Sequence, residues 1–462
     1  MTSSYSALAS IWRDLDGDAE ALKDVELTGA DPVLPSSFAV GTAAQVSIGA
    51  AALAAAELHR LRTGAKQRVA VDMRHAAIEC RSERYFRVNG APTPELWDSL
   101  AGAYQCGDGR WVRLHTNFPH HREGILRLLY CDGTRDAVAA SLLKWTAADF
   151  ETAATEAQMV VAMMRSFEEW DAHPHSAAIA KQPLIKLTRV GDALPRKLPK
   201  GSRPLEGIRV LELTRIIAGP VCGRTLAVHG ADVLRLMGSN VPTVESLDTD
   251  TGRGKRSAFA SLSSREDLQR LRDLAQQSDI FLQSYRPGVL AARGFGPEQL
   301  AGIAPGIVVV SLSAYGTSGP WAGKRGFDSL VQTATGFNAA EAEAAGDTRP
   351  RPLPLQILDH ASGYLMAMGA IMALSRRMTE GGSWHVEVSL ARTANWLRKL
   401  GRVPGGLDQR DVGPEEVGPY IETTASGYGA LAAVSHAARL SKTPAYYALP
   451  SVPYGTDNAS FN

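Results

Sequence analysis

Residues 207–236, GIRVLELTRIIAGPVCGRTLAVHGADVLRL, decide the fold. The apolar run IRVLEL at 208–213 ends in a short loop, Thr214-Arg215-Ile216-Ile217. Gly219 and Pro220 then open a helix that closes at Gly230, before a second apolar run, ADVLRL. Proline is tolerated at the start of a helix because the first-turn N–H groups have no partner within it. The same alternation continues downstream, with SREDLQRLRDLAQQ at 264–277, DIFLQSY at 279–285 and GIVVVSLSAYG at 306–316. Apolar runs alternating with helices at this spacing predict a parallel sheet with helices on both faces.

Upstream, residues 1–36 read as a peripheral arm, and residues 44–62 as a helix stopped at Gly64 before an alternating strand, Arg68–Met73. A hairpin signal around Gly107-Asp108-Gly109 and helical stretches to about residue 180 read as a smaller α+β unit within 37–192. The Pro- and Lys/Arg-rich segment 193–207 reads as a linker, 208–395 as the α/β core, and 396–462 as a segment returning to that core. An internal repeat overlays this division. Residues 52–77 resemble 369–394, with Val69/Val386, Val71/Val388 and Ala77/Ala394 sharing one offset, 386 − 69 = 317.

The 49 basic and 48 acidic side chains nearly cancel, and no run of like charge marks a nucleic-acid arm or a polybasic membrane patch. An anionic ligand must then be held by local groups. Residues 1–24 carry acids early and lack the order of a signal peptide, and Glu57, His59 and Arg60 interrupt the alanine-rich helix short of a membrane span. A cytoplasmic protein is expected. Cys80, Cys106, Cys131 and Cys222 are scattered, so neither a disulfide framework nor a metal site is expected.

The loop at 214–220 lacks G-x-G-x-x-G, and the second strand ends at Met237 rather than at an acid for a ribose, which argues against a dinucleotide. A helix opening near Gly219 still offers free N–H groups to an anion. Gly252-Arg253-Gly254-Lys255-Arg256-Ser257 is a glycine-flanked basic cluster suited to a phosphorylated ligand or, more plainly, to solvent. Ser284-Tyr285-Arg286-Pro287-Gly288 falls at the strand edge where open sheets place ligands. Asp359 precedes the apolar helix 361–377 at a position expected to be its N-cap, where the helix dipole would favour the anion. His360 stands beside it as a candidate hydrogen-bonding partner.

In their order, PLEGIRVLELTRIIAGP (204–220), GADVLRL (230–236), GKRS (254–257), RPG (286–288), LSAYGTSGP (312–320), RGFD (325–328) and HVEVSL (385–390) resemble the family III CoA transferases. That CaiB/BaiF group includes formyl-CoA transferase and α-methylacyl-CoA racemase. The resemblance implies an α/β protein with a Rossmann-like open parallel sheet, a smaller α+β domain and an interlocked homodimer. It implies acyl-CoA and carboxylic acid substrates, with no permanently bound cofactor. By it, Asp359 is the carboxylate that attacks the thioester, and Arg215, Ile217 and Ala218 run along CoA. Ser284 and Tyr285 lie near the nucleotide, Lys255 and Arg256 near the phosphates, and Arg293 and Arg325 close to basic positions of the family. The racemase branch has His before the Asp of its G-H-D motif, whereas Phe327 precedes Asp328 here, which favours transfer. An acyl-CoA epimerase and a non-catalytic CoA-binding partner are the alternatives. On the repeat offset Asp359 maps to Thr42 (359 − 317 = 42), which cannot be a carboxylate nucleophile.

Overall fold

In a computed structural model that describes residues 2–199 and 201–461, the predicted strands assemble into one seven-stranded sheet. Lys200 of the expected linker, Met1 of the arm and Asn462 of the C-terminal segment lie outside those residues. The strand order is 255–259, 232–237, 209–213, 280–283, 308–313, 383–389, 186–191. Six strands are parallel, and one row of residues crosses them in register: Lys255, Val233, Val210, Ile280, Val308, Trp384. Numbered from 209–213, the parallel strands run 3-2-1-4-5-6, the doubly wound order whose direction reverses between the first and fourth strands.

Both faces of the parallel sheet are covered, which explains runs such as VLEL and VVV in place of strict alternation. Val210, Val233 and Ile280 point into a core shared with the helices Ala218–Val228 and Ile357–Thr379. Leu211, Leu234 and Phe281 point into a second core with helix Arg265–Gln276. Ile357–Thr379 packs against both Ala218–Val228 and the long helix Val40–Thr63. The first of these contacts needs Gly363, since a Cβ there would stand 2.6 Å from the Ala218 carbonyl oxygen. Val40–Thr63 and Ile357–Thr379 are each long and apolar enough to cross a membrane, which departs from the expectation for the former. Both lie almost wholly inside the protein.

The repeat is visible in space. Strand Val69–Asp72 follows helix Val40–Thr63, as Ser383–Ser389 follows Ile357–Thr379. Each strand has a parallel neighbour on one side, 25–28 or 308–313, and an antiparallel one on the other, 438–440 or 186–191. The boundaries drawn from the sequence are crossed in several places. The presumed arm buries Leu8, Ile11 and Trp12 and supplies strand Val25–Thr28. Lys186–Gly191, upstream of the linker, is the edge of the core sheet. The C-terminal segment returns to both halves: Gly429–Val434 pairs with Arg87–Val88 and Ala438–Leu440 with Val69–Asp72, while Asp457 accepts the Ser257 N–H beside the core sheet. The smaller α+β unit is a three-stranded antiparallel sheet, 102–105, 111–114 and 161–163, packed on helices 119–129, 135–142 and 147–156 through Val112, Leu114, Ile125, Val138 and Phe150.

Candidate active site at the strand switch point

Where the strand order reverses, the loops after 209–213 and 280–283 diverge and leave a cavity of about 400 Å³. Arg215, Ser284, Tyr285, Arg286 and Arg325 line it, opposite His120 and His121 of the small unit. The Arg215 Nη1 donates to the Pro242 carbonyl at 2.9 Å, with its guanidinium over the Phe118 ring. The Arg325 Nη2 donates to Gln158 Oε1 at 3.0 Å, and its Nη1 faces His121 Nε2 at 3.2 Å. Burial, then His120 and neighbouring cationic groups, pushes the His121 imidazole down to about 3, so it meets Arg325 as a neutral acceptor. None of the three arginines is in an ion pair among the described residues, and the Arg286 guanidinium makes no hydrogen bond there either. A nearly neutral chain thus concentrates three unpaired guanidiniums in one cavity, the arrangement expected around a multiply charged anion.

Phe327 lines this cavity and also a smaller one, about 60 Å³, that contains Asp359. The wall between strand 209–213 and helix Ala218–Val228 is under strain: Ile216, a β-branched residue, has φ 74°, and it lines the smaller cavity with Ile217. Asp359 is the third residue of helix Ile357–Thr379, not its N-cap, which is Gln356. Its backbone N–H donates to Asp328 Oδ2 at 2.9 Å, and Asp328 Oδ1 accepts from Gln332 Nε2 at 2.5 Å. The Asp359 side chain is buried, and no hydrogen bond reaches its carboxylate from the described residues. Burial first, then the charges of Asp328 and Glu83, raises the Asp359 carboxyl well above the usual range. The helix dipole expected to favour its anion is outweighed. Burial also raises Asp328, to about 7.

The opposite wall comes from residues more than 200 positions away. Trp97, His115 and Asn117 face Asp359, as do Glu83 and Arg84. Asp98 fixes this wall by accepting from Thr116 Oγ1 at 2.6 Å and from Arg122 Nη1 at 2.8 Å. His115 stacks on Phe327, ring centroids 4.0 Å apart. His360 is not a partner of Asp359. It binds Glu83 at 3.1 Å, and although burial opposes ionisation of Glu83, the hydrogen bond and charge of His360 hold that carboxyl low.

The structure brings Arg215, Ser284, Tyr285 and Arg325 together, with Ile217 beside Asp359. It does not bring Lys255, Arg256, Arg293 or Ala218 to either cavity. The Lys255 ammonium is fully buried against Glu212 at 2.8 Å and the Pro220 carbonyl, so the basic cluster is neither a phosphate loop nor a solvated one. Arg256 is clasped by Asp232 at 2.6 Å and by the Ser460 carbonyl, and Arg293 turns back onto the Val289 carbonyl. Ala218 is buried as the first residue of its helix. Arg286, quoted in the RPG motif without a role, is the cation that the sequence reading passed over.

Most comparisons with known proteins fall on the half of the chain that carries the seven-stranded sheet. Residues 205–401 match the family described as CoA-transferase family III. The acetyl-coenzyme A transferase nodX of Hypoxylon pulicicidum is 34% identical over 199 residues, covering 42% of this chain and 34% of that protein. An acyl-CoA transferase of Gibberella moniliformis is 27% identical over 420 residues, covering 81% of this chain and 73% of that protein. The crystal structure of Rv3272 from Mycobacterium tuberculosis superposes with a TM-score of 0.41 at 30% identity, covering 43% of this chain and 57% of that one. Apart from the Gibberella protein, the chain spans between 34% and 53% of the length of the first curated relatives it matches. The match to CoA-transferase family III thus runs from the strand 209–213 through Asp359 to the strand 383–389, all within residues 205–401.

Proposed function

We propose that this protein transfers CoA from an acyl-CoA donor to a carboxylic acid, with Asp359 as the nucleophile. The observation that carries the reading is the adjacency of the two cavities. A three-arginine anion site suited to the CoA phosphates shares Phe327 with a smaller pocket in which the Asp359 carboxylate receives no hydrogen bond from the described residues. Ionised Asp359 attacks the thioester carbonyl, the C–S bond breaks, and an aspartyl anhydride and CoA thiolate result. The thiolate then attacks the Asp359 carbonyl of the anhydride, releasing the donor's acid and leaving an aspartyl-CoA thioester. The incoming carboxylate repeats the two steps in reverse. A carboxylate held at a raised pKa is a stronger nucleophile once ionised, and it needs no separate base. Names of relatives such as succinate–glutarate CoA-transferase and probable fatty acyl-CoA transferase support transfer without fixing the acid.

Epimerisation by two opposed acid/base groups requires a partner across the pocket from the acids Asp328 and Asp359, and His115 is the candidate there. Burial, then Arg113, lowers its imidazole to about 3, far below what abstraction of an α-proton needs. Transfer is therefore the better reading. A cytoplasmic setting and a homodimer belong to the proposal, the former supported by the burial of both long apolar helices.

The test is to incubate the protein with acyl-CoA, quench with hydroxylamine and search the Asp359 peptide for the hydroxamate by mass spectrometry. The wild type is expected to carry the modification. Asp359→Asn should lack it and lose at least about a thousandfold in turnover. Near-normal turnover by a folded Asp359→Asn protein rules the mechanism out.

A further inference from the structure

We infer that Ser311, His385 and Glu387 form a second reactive site, which hydrolyses short-chain carboxylic esters through a serine nucleophile. Its cavity shares no lining residue with the pocket of Asp359, and the inference does not depend on the role of that residue.

The three side chains share one face of the core sheet. Val310, Val386 and Val388 point into the core that contains helix Ile357–Thr379, so Ser311, His385 and Glu387, one residue away along their strands, point to the other face. Parallel pairing sets Gln283, Ser311 and Glu387 in one row across three adjacent strands, and His385 stands one pleat back from Glu387. His385 Nε2 lies 2.9 Å from the Ser311 hydroxyl oxygen, while its Nδ1 faces Glu387 Oε2 at 3.8 Å. Each ring nitrogen thus faces the group that a serine nucleophile, its base and an orienting acid require. The outer contact is long, as such contacts commonly are before substrate tightens them. Lys186 Nζ at 2.6 Å and the Thr317 hydroxyl at 3.1 Å fix the Glu387 carboxylate. Burial lowers the His385 imidazole against the pull of Glu387, so at neutral pH the ring is unprotonated and free to take a proton.

All three line a cavity of about 160 Å³. The His385 and Glu387 side chains are 13% and 16% exposed, sheltered from bulk water yet within reach of a ligand. Gln283 Oε1 accepts the Tyr285 N–H at 2.8 Å, which leaves the Gln283 Nε2 without a partner among the described residues, as a donor beside Ser311 for an oxyanion. Pro287, Leu290, Phe295 and Pro297 supply apolar wall for an acyl chain. A cavity of roughly 150 Å³ holds a benzene-sized group, which limits that chain to about six carbons. Tyr285, Arg286 and Pro287 also line the larger cavity, so the alcohol portion of an ester has room beyond the acyl site. Ser311 Oγ attacks the ester carbonyl while His385 Nε2 takes the hydroxyl proton. The C–O bond to the alcohol breaks, and the alcohol leaves with that proton. Water then attacks the acyl-serine and gives a proton to His385, which returns it to Ser311 Oγ as the acid departs.

The experiment treats the full-length wild type with a fluorophosphonate, which phosphonylates an activated serine with loss of fluoride, and locates the adduct by mass spectrometry. Hydrolysis of p-nitrophenyl butyrate is followed alongside, in wild type and in Asp359→Asn, so that turnover through Asp359 is separated from turnover through Ser311. The phosphonate is expected on Ser311, and ester hydrolysis should persist in Asp359→Asn. Ser311→Ala should abolish both signals, and His385→Gln should slow both by about a hundredfold or more. Glu387 is a positioning residue, so Glu387→Gln is read through the pH dependence of labelling. Removing a carboxylate beside His385, with Lys186 and Glu298 still facing the ring, disfavours the imidazolium and shifts the rising limb to lower pH, whereas a merely structural glutamate leaves the limb in place. No phosphonate on Ser311 in the folded wild type overturns the inference. So does ester hydrolysis that Ser311→Ala, folded by circular dichroism, leaves unchanged. Either result leaves the hydroxamate test of Asp359 untouched, because the two assays read different residues.

Discussion

Asp359 and Asp328 form a buried pair in which ionising either opposes ionising the other, and Glu83 adds a third acid to the same field. The raised carboxyl of Asp359 holds its proton as pH rises past the ordinary carboxylate range, so the reactive anion gains population only above that range. The rate of aspartyl-CoA formation should therefore climb with pH along a limb set by Asp359. Asp328→Asn removes one like charge and keeps an oxygen to accept the Asp359 N–H. Lowering the cost of the anion shifts the limb to lower pH, by about one unit or more. A limb that stays in place, measured under single-turnover conditions with the fold confirmed by circular dichroism, counts against the coupling. Asp359 itself was legible in the sequence, as an acid ahead of an apolar helix. Its raised pKa was not, because Glu83 lies 276 positions upstream (359 − 83 = 276) and no local pattern links the two. His115, Trp97 and Arg84 were missed for the same reason: nothing in a hairpin signal such as GAYQCGDGRWVRL says what its strands will face.

At the scale of elements the strand-helix alternation was readable because period and punctuation are local properties, and even the repeat offset held in space. The repeat also carries a relic of the site. Asp31 Oδ1 accepts the Gly41 N–H at 3.1 Å, and Asp31 Oδ2 accepts the Thr42 N–H at 2.8 Å. This is the role of Asp328 at Asp359, and Thr42 is the residue on which the offset places Asp359. The Thr42 hydroxyl donates to Asp31 at 2.8 Å, so a neutral donor stands where the second copy has a carboxylate. The first copy keeps the architecture of an acid pair at a helix start without its charge conflict. Thr42→Ala should then lower stability by about 1 kcal/mol, the usual worth of one such bond, and leave turnover within about twofold. Loss of turnover in a folded Thr42→Ala protein, measured beside its urea midpoint, would assign chemistry to the first copy after all. The basic stretch Arg253–Arg256 shows where local reading gave out. Two cations on a strand looked like a ligand loop, but strand pairing placed Lys255 over a buried Glu212, a partner 43 residues earlier.

Over the whole molecule, the division into a core and an auxiliary half is not a division of the active site. Asp359, Asp328, Phe327 and Ile216 come from the second half of the chain, while Glu83, Arg84, Trp97 and His115 come from the first. The wall over Asp359 is thus supplied within one chain. The halves are also tied by structure: Lys186–Gly191 forms the edge of the core sheet, and strands 429–434 and 438–440 pair with strands of the first half. Helix Val40–Thr63 lies along Ile357–Thr379, each almost entirely buried. Separating the chain near residue 200 would uncover both apolar faces, the 383–389 edge and the smaller cavity together, and exposed areas of that kind drive association. Residues 201–462 expressed alone should consequently aggregate or bind residues 1–200 tightly, and form no hydroxamate at Asp359. Refolding or co-expressing the two pieces should restore both solubility and labelling, because every missing wall and strand partner is then present. A stable, monomeric 201–462 fragment with wild-type turnover would show that the first half is dispensable, and with it the assignment of Glu83, Arg84 and His115 to the working pocket.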